Sequence, residues 1–467
     1  MPELPEVETV RNVLLPLVKG KEILKIDVLR SSTIVGNVDT FIDTLTNQTF
    51  LDITRIGKFL IFHLTNDVVF LSHLRMEGKY FDYLENEENS KYSRVVFHLN
   101  NGHKLCYDDS RCFGMMKLTD ESHYLNEKDI KQLGPEPFNI DDSKYLYNKY
   151  KKISKPIKST LLDQTIMTGL GNIYVDEVLF ACKIHPLTPA NMMSLKDCEN
   201  IVNESQRILN DAIIAGGSTI RSYHPGKDID GNFQSKLLAY GQKDNSCPTC
   251  GHTMRFKKVG GRGSTYCPIC QIKRGSPIKV AIFGKIASGK SLVLSLFEKV
   301  GCPTISSDDI VHELYKRNDV ALKVNKGLGL SENDYIDYNE LRSVVSSDDK
   351  KRKKLERIIH PLVRKELELF LNKKENLLVA EVPLLYESKM DDMFDYIIAV
   401  DINEKNQKER LMKRNPDSHA QLKDINKRSE FDQNKEKADV IISNNNSLKE
   451  LEKETEKIIH ILEGRLK

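Results

Sequence analysis

The sequence lacks the features that would place it in a membrane, outside the cell or among disordered chains. No apolar run approaches the roughly 20 residues that span a bilayer, and the N-terminus MPELPEVETV starts acidic, without a signal-peptide core. Glycine and proline, at 25 and 16 residues, are too scarce for collagen or a low-complexity chain. With 39% hydrophobic and 29% charged residues, the composition is that of a globular protein. We therefore expect a cytoplasmic protein with no membrane partner.

Length and charge both indicate several domains. At roughly 100 to 200 residues per domain, a chain of 467 residues contains more than one folding unit. Residues 1–142 include 16 basic and 23 acidic residues, whereas residues 143–276 include 19 basic and 10 acidic ones. The basic segment suits a nucleic-acid contact, although a solvated basic face explains the same counts.

Four of the nine cysteines have the spacing of a zinc site: Cys247-x2-Cys250 and Cys267-x2-Cys270, with sixteen residues between the pairs. Two such turns can aim four thiolates at one tetrahedral centre, and the residues between them are enough for a β-hairpin. The alternatives are two disulfides, which a cytoplasmic chain disfavours, or a redox pair. We therefore predict one structural Zn²⁺ in a zinc ribbon.

The pattern of apolar residues changes along the chain. From about Ile23 to Leu118, short runs such as LIFHL and RVVFHL predict antiparallel sheet, and residues 143–182 and 194–215 have helical spacing. After residue 277, strands alternate with charged helices, which is typical of a parallel α/β sheet. We predict a sheet domain at 1–134, a helical domain at 135–240, the ribbon at 241–272, a linker at 273–277 and an α/β domain at 278–467.

A phosphate-binding loop directly follows the predicted strand at 278–283 and precedes a helix. It matches the P-loop pattern, in which backbone N–H groups, a lysine and a hydroxyl surround nucleotide phosphates and Mg²⁺. The predicted nucleotide-binding residues of the loop are Gly284, Lys285, Ile286, Ala287, Ser288, Gly289, Lys290 and Ser291. The loop predicts a bound nucleotide but does not identify the reaction.

Three further segments resemble dephospho-CoA kinase, in the order of that family: ISSDDIVH at 305–312, IHPLV at 359–363 and EVPLLYE at 381–387. The resemblance covers 278 to about 455 and implies a P-loop kinase that uses ATP and Mg²⁺ to phosphorylate the 3′-hydroxyl of dephospho-CoA, giving coenzyme A. It also implies that Asp308 takes the acceptor proton or positions the hydroxyl. Arg410 and Arg414 would clamp phosphates from a basic lid.

Some residues of this part depart from the family pattern or have simpler explanations. Ser306 replaces an aspartate, and Lys285 and Ala287 replace glycines of the loop. Asp308 could instead cap a helix, and the two arginines could be solvated helix charges. A module that senses nucleotide or hydrolyses ATP for the preceding domains is the alternative to the kinase.

The N-terminal run MPELPEVE crowds two prolines and three carboxylates into eight residues. Removal of Met1 would expose Pro2, a secondary amine that is partly unprotonated near neutrality and can attack an aldehydic carbon to give an iminium. The alternative is an acidic helix start in which Glu3 and Glu6 complement the helix dipole.

The run PELPEVE and the zinc ribbon, with several segments between them, resemble formamidopyrimidine-DNA glycosylase over 1 to about 272. The intervening segments are RIGK at 55–58, LRMEG at 74–78, DSRCFG at 109–114, LGPEP at 133–137 and GLGNIYVDE at 169–177. The resemblance implies a β-sandwich, a helix-two-turn-helix lobe and a zinc ribbon, with double-stranded DNA in the cleft between lobes. It implies excision of oxidised purines, 8-oxoguanine and formamidopyrimidines, followed by strand cleavage through β- and δ-elimination.

The resemblance also implies roles for individual residues. Pro2 attacks C1′, Glu3 acts as acid and base at the sugar, and Lys58 assists base departure and strand cleavage. The other assigned residues contact the DNA: Met76, Arg111 and Phe113 fill the gap left by the flipped nucleotide, Lys158 and Asn172 contact phosphate, and Arg262 grips the backbone around the lesion. Core packing for Met76 and Phe113, and surface charge for Lys158, are the alternatives.

Two residues depart from the glycosylase pattern: Tyr92 replaces a histidine and Cys112 replaces an arginine. The glycine-led segment 216–223 fits a loop that closes over the extruded base. A catalytically silent DNA-binding module is an alternative that Pro2, Glu3 and Lys58 argue against. We expect a fused, monomeric two-enzyme chain.

Overall fold

The computed structural model describes residues 2–218, 233–271, 273–274, 277–331, 333–373, 375–414 and 431–463, without the side chain of Arg414. Residue contacts divide the chain into two compact units, Met1–Gln271 and Ile272–Lys467. No helix among these residues has both the length and the apolar character needed to cross a bilayer.

The first unit begins with a helix and two antiparallel sheets. Helix α1 (Leu4–Val18) buries Val7, Val10 and Leu14 in the same core as the inner faces of the sheets. The sheet orders are β1-β7-β8-β6 and β2-β9-β5-β4-β3, and only the β2–β9 pair is parallel. The elements are β1 (Ile23–Val28), β2 (Ile34–Val35), α2 (Val38–Leu45), β3 (Phe50–Ile56), β4 (Phe59–Leu64), β5 (Val68–His73), β6 (Lys79–Leu84), β7 (Ser93–Leu99), β8 (His103–Asp108) and β9 (Met115–Asp120).

Helices and a hairpin complete the first unit. The helices are α3 (Lys128–Lys131), α4 (Lys144–Tyr150), α5 (Ile157–Leu161), α6 (Asn172–Ala181) and α7 (Leu195–Ile214). The predicted helical stretch 143–182 is thus three helices, because Pro156 and the glycines at 169 and 171 interrupt it. Strands β10 (Arg255–Val259) and β11 (Arg262–Tyr266) form the hairpin between the two cysteine pairs.

The second unit is a five-stranded parallel sheet with helices around it. Its strands are β12 (Ile278–Gly284), β13 (Thr304–Ser306), β14 (Leu377–Glu381), β15 (Tyr396–Asp401) and β16 (Val440–Ser443), in the order β13-β14-β12-β15-β16. The helices are α8 (Lys290–Lys299), α9 (Ser307–Tyr315), α10 (Asn318–Leu328), α11 (Tyr338–Ser347), α12 (Asp349–Leu371), α13 (Glu404–Arg414), α14 (Phe431–Asn434) and α15 (Leu448–Glu463). Together the two units confirm the predicted fold class.

Candidate functional site

The start of α1 places Pro2 and Glu3 inside the first unit. Glu3 is the residue before the helix, and its backbone N–H donates to the Glu6 carboxylate at 2.8 Å. Pro2 and Glu3 are both buried. The structure therefore contains the acidic helix start, and this arrangement does not exclude a reactive terminus at Pro2.

The Glu3 carboxylate is held by the first turn of α6. It accepts backbone hydrogen bonds from Gly171 at 2.6 Å, Ile173 at 2.9 Å and Tyr174 at 3.4 Å. A Cβ at Gly171 would collide with this carboxyl group, so glycine is required there. Burial raises the pKa of Glu3 to about 7, although the Lys58 ammonium and the helix N–H groups oppose the shift.

Lys58 lies in the turn between β3 and β4, and its ammonium donates to the Leu170 carbonyl at 2.7 Å. The side chain is buried, and burial lowers the pKa of Lys58 despite the nearby carboxylates of Glu3 and Glu6. The Arg262 guanidinium of the hairpin lowers this pKa further. The structure thus brings Glu3, Lys58 and Arg262 into one electrostatic neighbourhood.

Three supporting residues, Arg55, Glu136 and Glu6, were missing from the predicted site. Arg55 donates to Glu136 at 2.6 and 2.9 Å, and Glu136 also accepts the Gly57 backbone N–H at 2.7 Å, which fixes the turn carrying Lys58. Glu6 accepts from the Tyr174 hydroxyl at 2.6 Å and from the Ser218 backbone at 2.8 Å. Both carboxylates lie inside motifs that the sequence reasoning quoted, but only the fold supplies their partners.

The residues predicted to fill the DNA gap lie on two loops. Buried Asp109 accepts backbone hydrogen bonds from Arg111, Phe113 and Gly114, which shapes the loop after β8. The Arg111 guanidinium stacks 4.9 Å from the exposed Phe113 ring, so both groups are presented to solvent. Met76 is half-buried on the loop after β5.

Lys158 and Asn172, both predicted to contact phosphate, have different surroundings. The Lys158 side chain is fully buried, and its ammonium donates to Asp176 at 2.8 Å and to the Gly263 carbonyl at 2.6 Å. The surface-charge alternative does not fit this burial, and the phosphate contact of Lys158 stays a prediction. The Oδ1 of Asn172, at the start of α6, is buried and accepts no hydrogen bond from the described residues.

The four predicted zinc ligands form one cluster with all four sulfurs within 4.8 Å of one another. The Sγ atoms of Cys247 and Cys270 are 3.9 Å apart and those of Cys250 and Cys267 are 3.4 Å apart, and none forms a disulfide. Zn–S bonds of about 2.3 Å in a tetrahedron give sulfur separations close to these values, so the cluster could hold zinc. Asp176 accepts the Thr265 N–H at 3.0 Å and so fixes the hairpin that carries exposed Arg262.

In the second unit, the phosphate-binding loop runs from β12 into α8 and borders a cavity of about 440 Å³. The lining residues from the loop and helix are Ala287, Gly289, Lys290, Ser291 and Leu292, joined by Arg410, Lys413, Asn444 and Leu448. Gly289 has φ of +101° and Ala287 has φ of +59°, a left-handed conformation that costs a non-glycine residue about 1 kcal/mol. The cavity therefore combines the loop backbone with three cationic side chains.

Two carboxylates lie near Lys290 and Ser291, the lysine and serine of the P-loop pattern. Glu381, at the end of β14, lies 3.9 Å from the Lys290 ammonium and accepts from the Ser291 hydroxyl at 3.4 Å. Burial raises the pKa of Glu381 and of Asp308, and the Lys290 charge opposes both shifts. Oxygen ligands of this kind suit Mg²⁺. Glu381 was quoted in a motif but not predicted as a site residue, although a carboxylate ending a buried strand was the available signal.

The remaining predicted nucleotide-binding residues of this unit form contacts with other parts of the second unit. The Lys285 side chain is paired with Asp432 at 2.9 Å, the Ile286 carbonyl accepts from Gln407, and the Ser288 carbonyl accepts from Asn444. Arg410 donates to the Asn444 side chain at 3.0 Å. The Arg414 side chain and residues 219–223 of the predicted closing loop lie outside the described residues.

Sequence comparisons match both units to known families. Residues 1–116 match the formamidopyrimidine-DNA glycosylase N-terminal domain, residues 133–224 match the H2TH domain of the same enzyme, and residues 278–450 match dephospho-CoA kinase. The formamidopyrimidine-DNA glycosylase of Bacillus licheniformis is 45% identical over 276 residues, which is 58% of this chain and 100% of that protein. The enzyme of Shouchella clausii is 46% identical over 274 residues, 58% of this chain and 99% of that protein.

Solved structures resemble the first part of the chain. Lactococcus lactis Fpg bound to DNA containing N7-benzyl-Fapy-dG has 38% sequence identity and a TM-score of 0.56, and the match covers 58% of this chain and 100% of that one. The same enzyme with DNA containing an abasic site has 37% identity, a TM-score of 0.55 and the same coverage.

Proposed function

The chain belongs to the formamidopyrimidine-DNA glycosylase family and carries a dephospho-CoA kinase domain behind the glycosylase, and on this premise we propose how it performs two reactions. The first excises 8-oxoguanine and formamidopyrimidines from duplex DNA and cleaves the strand. The second transfers the γ-phosphoryl group of ATP to the 3′-hydroxyl of dephospho-CoA. The observation that carries the first is the buried Glu3 carboxylate beside Pro2 and Lys58; the second is supported by Lys290, Ser291 and Glu381 at the loop.

The proposed nucleophile is the Pro2 amine, exposed once Met1 is removed. The target nucleotide must be flipped out of the duplex, because C1′ of a stacked nucleotide is out of reach. The nitrogen lone pair forms a bond to C1′ while the C1′–base bond breaks and its electron pair leaves with the base. Opening of the sugar ring gives an iminium, and stepwise loss of the 3′ and 5′ phosphates cleaves the strand.

Glu3 and Lys58 move the protons of this sequence. A carboxyl with a pKa of about 7 is populated in both forms near neutrality, so Glu3 can donate a proton to the sugar and later accept one. Burial lowers the pKa of Lys58, which makes its ammonium a better proton donor to the departing base, and the neutral amine that results can accept a proton during elimination. Their fixed backbone partners keep both groups in place before DNA binds.

The proposed DNA contacts are made by loops and the hairpin. Arg111 pairs with the orphaned base while Phe113 and Met76 occupy the vacated space, which suits the exposed Arg111–Phe113 stack. Asn172 and Arg262 contact phosphates. Zn²⁺ bound by the four cysteines would order the hairpin that presents Arg262. Lys158 holds that hairpin through Asp176 and Gly263, and its proposed phosphate contact is made from this position.

In the kinase reaction, the loop N–H groups and Lys290 hold the ATP phosphates, and Asp308 positions the acceptor hydroxyl. Mg²⁺ would be held by Ser291, with Glu381 and Asp308 nearby, and when bound it neutralises charge on the transferred phosphoryl group. Arg410 lines the same cavity and adds a cation. Burial raises the pKa of Asp308, which makes its carboxylate a stronger base toward the acceptor hydroxyl.

Borohydride trapping tests the glycosylase mechanism. Reduction of the iminium in the presence of lesion DNA should give a covalent adduct whose peptide map places the DNA on Pro2. Pro2→Gly should lose most of this adduct. An adduct on Lys58, or a mature protein that retains Met1, would overturn the proposal.

Product analysis tests the kinase. Protein incubated with ATP, Mg²⁺ and dephospho-CoA should yield coenzyme A and ADP in equal amounts, detected by mass spectrometry. Glu381→Gln should slow the reaction about 10²-fold, since it removes a carboxylate next to Ser291 and Lys290. ATP hydrolysis without phosphorylated acceptor, stimulated by DNA, would favour the ATPase module instead.

A further inference from the structure

The first variable residue of the phosphate-binding loop, Lys285, is directed away from the cavity. Its ammonium lies 2.9 Å from the Asp432 carboxylate and 5.5 Å from the centre of the Phe431 ring, both on α14. The Lys285 side chain is 11% exposed, and it is not among the residues that line the cavity. A lysine in a phosphate loop would ordinarily be expected to meet the phosphates.

The partners of Lys285 are themselves fixed to the sheet. Phe431 is buried and packs 5.4 Å from Phe283 of β12, the strand that leads into the loop. Lys435 lies 3.3 Å from the second oxygen of Asp432 and 3.1 Å from Asp401 at the end of β15. The Lys285–Asp432 contact therefore ties the loop to a network anchored on two central strands.

The same residue also sets where the phosphate-binding lysine rests. The Lys285 carbonyl accepts from the Lys290 ammonium at 3.1 Å and from the Ser288 backbone N–H at 3.2 Å. Because Asp432 anchors the Lys285 side chain, it also fixes the Lys285 carbonyl that orients the Lys290 ammonium. Neighbouring carbonyls of the loop are held as well, Ile286 by Gln407 and Ser288 by Asn444.

We infer that the Lys285–Asp432 ion pair is a positioning contact for ATP: it holds the loop and Lys290 in the arrangement that receives the phosphates. Lys285 acts through the loop backbone and not as a phosphate ligand. The inference rests on the proposed ATP-dependent function of this loop. Because the Asp432 side chain is 63% exposed, the contact is an ion pair of the weak, solvent-screened kind.

Asp432→Asn distinguishes positioning from direct contact because the two roles predict opposite signs. If the pair positions the loop, Asp432→Asn should weaken ATP binding by about two- to fivefold, the range expected for an exposed pair. If Lys285 is a phosphate ligand restrained by Asp432, the same change frees it and ATP should bind more tightly. Calorimetric ATP dissociation constants of the full chain measure the sign.

Four further variants complete the test. Lys285→Met should weaken ATP binding as much as Asp432→Asn, and the double variant should add little, since the two changes remove one contact. Lys285→Arg keeps the pair and should restore an ATP dissociation constant near wild type. Asp392→Asn removes an exposed partner of Arg364, 66% exposed against 63% for Asp432, and should leave ATP binding unchanged.

In Asp432→Asn, the KM for ATP should rise, whereas kcat should stay within about twofold of the wild-type value. Tighter or unchanged ATP binding in that variant would overturn the inference. A wild-type chain that binds ATP but does not phosphorylate dephospho-CoA would overturn the proposed kinase reaction and leave the positioning test intact. A wild-type chain that binds no ATP would overturn both.

Discussion

The two units hold their reactive groups in different ways. In the first unit, Glu3 and Lys58 are buried and are bonded to the backbone of the α6 start, through Gly171, Ile173 and Leu170. In the second unit, Lys290 and Glu381 are also buried and lie 3.9 Å apart, but Lys290 lines a cavity of about 440 Å³. The first arrangement is complete without a ligand, whereas the second leaves space for one.

This difference follows from the chemistry proposed for each site. An iminium mechanism needs proton donors and acceptors with shifted pKa values, and burial against fixed backbone dipoles supplies the shift. Phosphoryl transfer needs cations arranged around a highly negative ligand. The loop supplies cationic side chains, and the negative charge that pairs with them arrives with ATP and its Mg²⁺. Changes to buried partners should therefore impair the first site, and changes to ligand contacts should impair the second.

The largest effect is expected from the cysteine cluster. Cys267→Ser should remove about one zinc per chain, because structural zinc binding is worth on the order of 10 kcal/mol and needs all four thiolates. DNA affinity should fall with it, since the hairpin carrying Arg262 loses its order. Metal analysis and DNA titration measure both, with Cys182→Ser as control, a cysteine outside the cluster. Unchanged DNA binding by the zinc-free protein would contradict this role.

The next effect concerns the buried Lys158–Asp176 pair. Asp176→Asn leaves an uncompensated ammonium in the interior and should destabilise α6 and the hairpin by about 3–5 kcal/mol. Replacing both residues by apolar ones should cost less than either single change. Hydrogen exchange of the α6 and β11 amides measures the loss. Asp211→Asn, which removes an exposed partner of Arg207, should change these amides by no more than about 0.5 kcal/mol.

The Lys158–Asp176 pair also shows what could not be predicted from the sequence. The family segments and the cysteine spacing identified the fold class, because turns, strand ends and metal ligands are local patterns. Lys158 was expected to contact phosphate, as the glycosylase resemblance implies, with surface charge as the alternative. Its partner Asp176 is 18 residues away on another helix, and Gly263 is on the hairpin. Glu6, Arg55 and Glu136 were missed for the same reason: their contacts join segments distant in sequence.

A smaller effect is expected from pH, through Glu3. Its pKa is raised from 4.5 to about 7 in the folded chain, so the folded state holds its proton more tightly than the unfolded state. The stability from this proton is complete below pH 4.5 and is lost as pH rises through about 7. The wild-type advantage over Glu3→Gln in denaturant unfolding should therefore fall, by on the order of 3 kcal/mol, across this window. An advantage that rises with pH would reverse the assigned shift.

The central claim is that one chain carries two separate reactions, and a crossed pair of variants tests it most directly. Base excision and dephospho-CoA phosphorylation are measured on the same preparations of wild type, Glu3→Gln and Lys290→Ala. Glu3→Gln should lower excision by about 10²–10⁴-fold and leave phosphorylation within about twofold. Lys290→Ala should lower phosphorylation by about 10³-fold and leave excision within about twofold. Loss of excision in Lys290→Ala, or excision that requires added ATP, would show that the two units form one nucleotide-driven machine.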